Sequence, residues 1–193
     1  MPYRETPFRA GEYYHLYNRG CNFQPIFLEQ DNYRHFFWLI RQHLLSDVAL
    51  VAYCLMPNHY HLLVQLLSAN LSQCMQAFGV AYTKAINKRH GRVGPLFQGP
   101  FRAIHVDRNE YLLQLSRYIH LNPVAARLVE RPEAWQFSSC QEYFGLRANT
   151  LLCPEIVLDQ FESHADYQKF VAAGARDDEA IRHLLLDDEE GSG

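Results

Sequence analysis

Two histidines separated by one residue are the first side chains in this sequence with a spacing suited to chemistry. His59 and His61 flank Tyr60 at the start of a strand-like run, His59 to Leu67. Strand side chains alternate between faces, so the two imidazoles point the same way, about 7 Å apart along the strand. They can bind one divalent metal ion if a third ligand comes from elsewhere. Two hydrogen-bonded or solvated histidines at a strand end are the alternative interpretation, and the H-x-H spacing alone favours it.

A second candidate lies in the segment YIHLNP, where Tyr118 and Asn122 are four residues apart and share one helical face. A phenol can act as a nucleophile, and an amide oxygen can ligate a metal. A metal held without a thiolate suits Mg²⁺ or Mn²⁺ on a phosphate oxygen, or Zn²⁺ in a hydrolase. The alternatives are that Tyr118 is a packed helix aromatic and that Asn122 caps a new helix beginning at Pro123.

The elements that would position these side chains follow from hydrophobic periodicity and turn residues. Strands are expected over residues 13–19, 48–56, 59–67 and 101–106. Helices are expected over residues 31–45, 71–90, 107–121, 123–129, 166–173 and 179–186. Asp31 is the expected N-cap of the first helix, and Asp107-x-x-Glu110 resembles a capping box. The order predicts an α+β fold, a ferredoxin-like (RRM-like) antiparallel sheet with helices packed on one face and a small C-terminal helical extension.

The formal net charge of −3 hides a strong asymmetry along the 193 residues. Residues 81–131 carry nine Lys or Arg and three Asp or Glu, whereas residues 132–193 carry four and thirteen. Basic side chains on a helix and a glycine-rich loop can follow a phosphate backbone while aromatic rings stack on bases. An ordinary solvated helix face is the alternative. The candidates for nucleic-acid contact are Lys84, Lys88, Arg89, Arg92, Arg102, Tyr82, Phe97 and Phe101.

Several classes of protein are excluded or disfavoured by composition. With 48% hydrophobic residues the chain can bury a core, which excludes intrinsic disorder. The five cysteines are scattered and never spaced C-x-x-C, which excludes a zinc finger and disfavours a disulfide framework. No apolar run is long enough to span a membrane, and no secretory signal is visible. We therefore expect a cytoplasmic protein with reduced thiols and no membrane partner.

Four segments taken together resemble a known family. They are residues 14–20 (YHLYNRG), 54–64 (CLMPNHYHLLV), 94–102 (GPLFQGPFR) and 118–124 (YIHLNPV). Their order and spacing resemble the single-tyrosine HUH transposases of the IS200/IS605 type, and within them the REP-associated tyrosine transposases. The resemblance divides the chain into a transposase domain, residues 1–145, and an acidic, partly helical extension, residues 146–193.

The resemblance implies a role for each candidate. His59, His61 and Asn122 would hold the metal, Mg²⁺ or Mn²⁺, and Tyr118 would be the nucleophile. The implied reaction cleaves single-stranded DNA, including DNA with hairpins, and leaves a 5′-phosphotyrosine and a free 3′-hydroxyl that can be rejoined. The base that accepts the tyrosine proton is not identified, although His120 is one candidate. Monomer and homodimer are both compatible with the resemblance.

Two positions depart from the family pattern where DNA contact is expected. Pro100 stands where relatives commonly have a basic residue, and residues 20–24 (GCNFQ) replace a segment richer in Asn and Arg. Target recognition is therefore less predictable than cleavage. One rival hypothesis is a non-catalytic protein that binds DNA or RNA hairpins on an RRM-like sheet. Another is a relaxase or replication initiator with the same chemistry, which the small size disfavours.

Overall fold

One antiparallel sheet organises the computed structural model, which describes residues 7–148 and 151–174. Within these residues the sheet has four strands in the order β2-β3-β1-β4. The strands are β1 (Tyr13–Arg19), β2 (Val48–Met56), β3 (His59–Leu66) and β4 (Arg102–Val106). Each boundary agrees with the sequence prediction to within one residue. The strand order confirms the predicted α+β, ferredoxin-like architecture.

Two helices cover one face of the sheet. They are α1 (Gln30–His43) and α2 (Leu71–His90), and α2 ends as predicted at Gly91, whose φ is 60°. The ring of Phe36 on α1 lies 5.1 Å from that of Tyr60 and 4.8 Å from that of Phe78 on α2. Because Tyr60 sits between His59 and His61 in β3, this helical layer packs on the face opposite to the two histidines.

A third helix, α3 (Asn109–Ala125), lies against the histidine face. The ring of Tyr118 on α3 is 5.6 Å from that of His61. The predicted one-sided helical layer therefore consists of α1 and α2, while α3 packs on the other side of the sheet. This arrangement brings the two chemically interesting segments of the sequence face to face.

The helix starts differ from the sequence prediction. The N-cap of α1 is Glu29 rather than Asp31, and Glu29 forms a reciprocal capping box with Asn32. The N-cap of α3 is Arg108, with no side-chain capping bond, so the capping box predicted from Asp107 does not form. The Asn32 amide oxygen also accepts from the Leu28 backbone N–H, and the observed N-cap lies two residues before the predicted one.

The predicted helix break at Asn122–Pro123 is wrong, because α3 continues through Pro123 to Ala125. Pro123 has no N–H to donate to the preceding turn, but it is buried together with Asn122. Its carbonyl still accepts a hydrogen bond from Leu128, 2.9 Å away, and that of Asn122 accepts one from Ala126 at 2.9 Å. Tertiary packing therefore overrides the local preference against a helical residue before proline. As a result, Asn122 stays on the same helical face as Tyr118.

The C-terminal part of the chain covers the edge strand β2. The backbone N–H of Leu55 donates to Phe137, and that of Ser139 donates to Tyr53, at 2.9 and 3.0 Å. Three short helices follow: α4 (Cys140–Tyr143), α5 (Glu155–Leu158) and α6 (His164–Ala172). A paired edge is protected from pairing with other chains.

Helix α6 of the predicted extension belongs to the same core as α3. Tyr167 is fully buried, and its hydroxyl lies 3.0 Å from Ser116 Oγ and 2.8 Å from His120 Nδ1. The predicted helix over residues 179–186 and the acidic tail lie outside the described residues. The described part of the extension is therefore packed against the domain rather than separate from it.

The five cysteines, all among the described residues, carry free thiols. In the part of the chain that the structure describes, we find no helix of the length and apolarity that crossing a membrane requires.

Candidate active site

The three predicted metal ligands meet on the histidine face of the sheet. The rings of His59 and His61 are 4.9 Å apart. Asn122 Oδ1 lies 3.3 Å from His59 Nε2, and Asn122 Nδ2 lies 3.3 Å from His61 Nε2. Strand alternation places both histidines on one face, and the unbroken helix α3 brings the amide to them. The Nε2 atoms of the two imidazoles thus face the same amide group, that of His59 its oxygen and that of His61 its nitrogen.

Tyr118 lies one helical turn before Asn122 and faces the same group. Its ring meets that of His61 edge to face, with an interplanar angle of 81°. The side chain is half-buried. The structure therefore brings the predicted nucleophile together with all three predicted metal ligands.

Two residues that the sequence analysis missed contact the outer nitrogens of the histidines. His15 Nε2 lies 2.9 Å from His61 Nδ1, with the two rings stacked at 5.1 Å. Asn58 Oδ1 lies 2.7 Å from His59 Nδ1. Such contacts fix the orientation of a ligating imidazole and leave its other nitrogen available to a metal. The alternation of β1 was the available signal for His15, since it places His15 and Tyr17 on the face of His61.

Both histidines are neutral near pH 7. Burial lowers the pKa of His59 to about 4, and the charge of Arg19 contributes to this shift. Burial also lowers the pKa of His61 well below its usual range, and the neighbouring His59 and His15 lower it further. Only neutral imidazole has a lone pair for a metal, so both histidines are in the form that can bind one.

His120 does not serve as the base suggested for Tyr118. It is fully buried on the other side of α3, with Nδ1 2.8 Å from the Tyr167 hydroxyl and Nε2 2.7 Å from Ser139 Oγ. Both ring nitrogens are thus engaged in contacts with the C-terminal segment. His120 connects α3 to that segment and does not face the candidate site.

The same burial gives a testable pH dependence. It lowers the pKa of His120 to about 3 in the folded chain, whereas an unfolded histidine titrates near 6.5. Between about pH 3 and 6.5 the unfolded chain therefore binds a proton at this residue that the folded chain does not bind. As the pH falls below 6.5, the free energy of unfolding decreases by up to about 1.4 kcal/mol per pH unit. We measure the free energy of unfolding in urea at pH 7, 6 and 5. It should fall less steeply with decreasing pH in His120→Gln than in the wild type. Equal pH slopes in the two proteins would contradict the assignment.

Tyr82 was predicted to stack on bases, and the structure shows that this is wrong. The side chain is fully buried, and its hydroxyl donates to the Ile26 carbonyl at 2.8 Å. Its ring packs between those of Phe36 and Phe97. Tyr82 belongs to the apolar stripe of α2 and has no surface to offer a base. Phe97 and Phe101 are half-buried against the core.

Most of the predicted basic residues lie on α2 or in the loop after it. Lys84 and Lys88 are exposed on α2, in the layer on the opposite face of the sheet. Arg89 on the same helix pairs with Glu29 at 2.6 Å, which offsets part of its charge. The Arg92 guanidinium contacts the Pro25 carbonyl at 3.4 Å. Lys84, Lys88 and Arg89 therefore lie across the sheet from the histidines.

Two other arginines are on the histidine face. Arg102, which was predicted, is exposed and opposite Tyr17 in the sheet register. Arg19, which was missed, is the register partner of His59, and strand alternation places its side chain on the face of His15 and Tyr17. The signal for Arg19 was again the alternation of β1. The positive charge of Arg19 acts on the candidate site, since it helps to lower the pKa of His59.

Comparison with solved structures shows that the fold is shared with a known transposase. Among solved structures, a REP-associated tyrosine transposase bound to a REP hairpin aligns with a TM-score of 0.61 and 18% identity, over 78% of this chain and 93% of that chain. A proposed transposase from Deinococcus radiodurans R1 aligns with a TM-score of 0.42 and 17% identity, over 61% of this chain and 95% of that chain. No curated protein matches the sequence.

A family model described as "Transposase IS200 like" matches residues 12–122, which is more than half of the chain. The matched segment contains β1 to β4, both histidines, and α3 as far as Asn122. The convergent site therefore lies entirely within the matched region, and the chain belongs to the IS200-like transposase family.

Proposed function

We propose that this transposase cleaves and rejoins single-stranded DNA, with Tyr118 as nucleophile and a divalent metal, Mg²⁺ or Mn²⁺, held by His59, His61 and Asn122. The observation that carries the proposal is the convergence of both Nε2 atoms on Asn122, at 3.3 Å each, beside the Tyr118 ring.

The residues present fit a cation. Both ring nitrogens of His59 face amide oxygens, Asn58 Oδ1 at one side and Asn122 Oδ1 at the other. A neutral imidazole has one N–H, so it can donate to only one of them. If Nδ1–H donates to Asn58, the lone pairs of His59 Nε2 and Asn122 Oδ1 face each other, and a cation held by both atoms would satisfy them. Within residues 7–148 and 151–174 no group of three His, Cys, Asp or Glu side chains is placed to hold a metal, and we propose the Asn122 amide as the third ligand.

The chemistry assigned to the chain is a phosphoryl transfer. Tyr118 Oη attacks the phosphorus, the bond from phosphorus to the 3′-oxygen breaks, and the downstream strand remains attached as a 5′-phosphotyrosine. The phenol proton passes to an acceptor, and the leaving 3′-oxygen takes up a proton. Attack by a 3′-hydroxyl on the phosphotyrosine reverses the reaction and rejoins the strands. A bound Mg²⁺ or Mn²⁺ would offset phosphate charge and orient the ester for attack.

We propose a substrate that combines a hairpin with an unpaired flank. The structural relative with a TM-score of 0.61 is bound to a REP hairpin. In this chain the histidine face carries Arg19 and Arg102, which can pair with phosphates beside the site.

A doubly labelled oligonucleotide tests the proposal. Hairpin DNA with single-stranded flanks carries one label at its 5′ end and a different label at its 3′ end, and is incubated with Mg²⁺, Mn²⁺ or EDTA. We expect an adduct that survives denaturant, contains only the 3′ label, and does not form in EDTA. An adduct with the 5′ label would contradict the polarity. Tight binding with no adduct in either metal would favour the non-catalytic hairpin-binding hypothesis.

The contact from His15 predicts a large effect on metal affinity. His15→Phe keeps a ring in the stack but removes the nitrogen that contacts His61 Nδ1. We expect Mn²⁺ affinity, measured by calorimetry without DNA, to fall about 10- to 100-fold. His105→Phe is the matched control, since His105 lies on β4 and contacts Glu12 instead. Unchanged affinity in His15→Phe would show that His15 does not orient the ligand.

A further inference from the structure

The loop that follows β1 holds two consecutive non-glycine residues in the left-handed region. The φ angles of Asn22 and Phe23 are 52° and 58°. For such residues this conformation costs about 1 kcal/mol or more each and persists only where the surroundings enforce it. Here the Phe23 N–H donates to the Gly20 carbonyl at 3.1 Å, and the Phe23 carbonyl accepts from Asn58 Nδ2 at 3.3 Å.

The consequence of this backbone is an aromatic ring held at the surface. Phe23 is 46% exposed. The Arg19 guanidinium lies 4.2 Å from the ring centroid, and Arg19 Nε contacts Gln98 Oε1 at 3.3 Å. A cation over one side of the ring fixes its orientation while much of the side chain stays in contact with solvent.

The backbone of Phe23 is also linked to the candidate metal site. One amide bridges them, because Asn58 contacts His59 Nδ1 through Oδ1 and the Phe23 carbonyl through Nδ2. Arg19 is the register partner of His59. The exposed ring and its guanidinium therefore lie beside the point where a scissile phosphate would bind.

We propose that Phe23 is a stacking platform for one unpaired base of the DNA strand flanking the cleavage site, with Arg19 pairing to the adjacent phosphate. This inference rests on the proposed function. Every base has an apolar face that stacks on an aromatic ring, whereas a duplex keeps its bases covered by their neighbours. The platform thus selects for a single-stranded flank without reading a hydrogen-bond pattern.

Equilibrium binding of hairpin DNA in EDTA tests the platform without cleavage. Single abasic positions are scanned through the flank. In the wild type we expect one position whose loss weakens binding about tenfold, as one stacked base contributes. Phe23→Ala should bind the intact DNA about tenfold more weakly than the wild type does. The same variant should bind the DNA with that abasic position as tightly as it binds the intact DNA. Phe23→Trp should bind like the wild type.

Trp38→Ala is the control, since Trp38 is an exposed aromatic on α1 in the opposite layer. The platform is contradicted if Phe23→Ala binds intact DNA with wild-type affinity. It is also contradicted if the abasic position weakens DNA binding of Phe23→Ala as much as it weakens DNA binding of the wild type. Thermal unfolding checks that each variant folds, and Phe23→Trp tests the ring without removing it. The adduct assay on the wild type reports separately on the proposed function, so either idea can fail alone.

Discussion

Tyr118→Phe is expected to abolish the covalent protein–DNA adduct, with a loss of at least about a thousandfold in the rate of its formation. The substitution removes one hydroxyl and leaves the ring that packs edge to face on His61. Metal affinity and hairpin affinity should therefore be unchanged. The measurement is the yield of 3′-labelled, denaturant-resistant adduct over time in Mn²⁺, together with the dissociation constant of the same DNA in EDTA.

Tyr111→Phe is the matched control for this experiment. Tyr111 lies two turns earlier on α3, where the Arg108 guanidinium is 5.3 Å from its ring, and the chemical change is identical. We expect this variant to form the adduct at the wild-type rate. A persistent adduct in Tyr118→Phe, with none in Tyr111→Phe, would reassign the nucleophile. An adduct in both variants would show that neither phenol attacks.

The sheet could be predicted from the sequence because its signals are local. Alternating or continuous apolar runs closed by Gly20 and by Pro57-Asn58 fix three strand ends, and these signals do not depend on the rest of the chain. Which face each helix covers is not local information. The sequence therefore could not show that Lys84 and Lys88 lie across the sheet from the histidines, although their helix was predicted to the residue.

Pro123 and Tyr82 show two different reasons for error. At Pro123 the local rule against helical conformation before proline competes with burial of the helix end, and sequence alone does not weigh the two. Tyr82 continues the spacing of Phe78 and Ile86, which are core residues of α2. In that case the helical period was visible, and it favoured a buried ring over a stacking surface.

The side chains of the candidate site were predictable from the sequence, but two groups that contact them were not. His59, His61, Asn122 and Tyr118 follow from spacing and from the family resemblance, and the structure places the four side chains together. The contacts from His15 and Asn58 depend on the register between β1 and β3 and on the turn before His59. Register is set by long-range pairing, so only the three-dimensional structure shows these contacts.

His61→Phe is expected to remove metal binding and metal-dependent cleavage together. His61 is fully buried, and Phe fills a similar volume, but Nε2 and its lone pair are lost. Loss of a ligand should exceed the 10- to 100-fold effect of an outer contact, so we expect Mn²⁺ affinity and adduct yield to fall more than about a hundredfold. Calorimetry with Mn²⁺ and the 3′-label adduct assay measure the two quantities on the same protein.

Asn122→Asp and Asn122→Leu extend this test to the third ligand and separate ligation from folding. The carboxylate of Asn122→Asp keeps an oxygen beside His59 Nε2 and adds charge, so Mn²⁺ affinity should be retained or increased. Asn122→Leu has a similar volume without a ligand atom and should lose affinity as His61→Phe does. If Asn122→Leu and His61→Phe both fold and both cleave DNA in Mn²⁺ at the wild-type rate, these residues do not hold a catalytic metal, and the reaction must be assigned to Tyr118 with other partners.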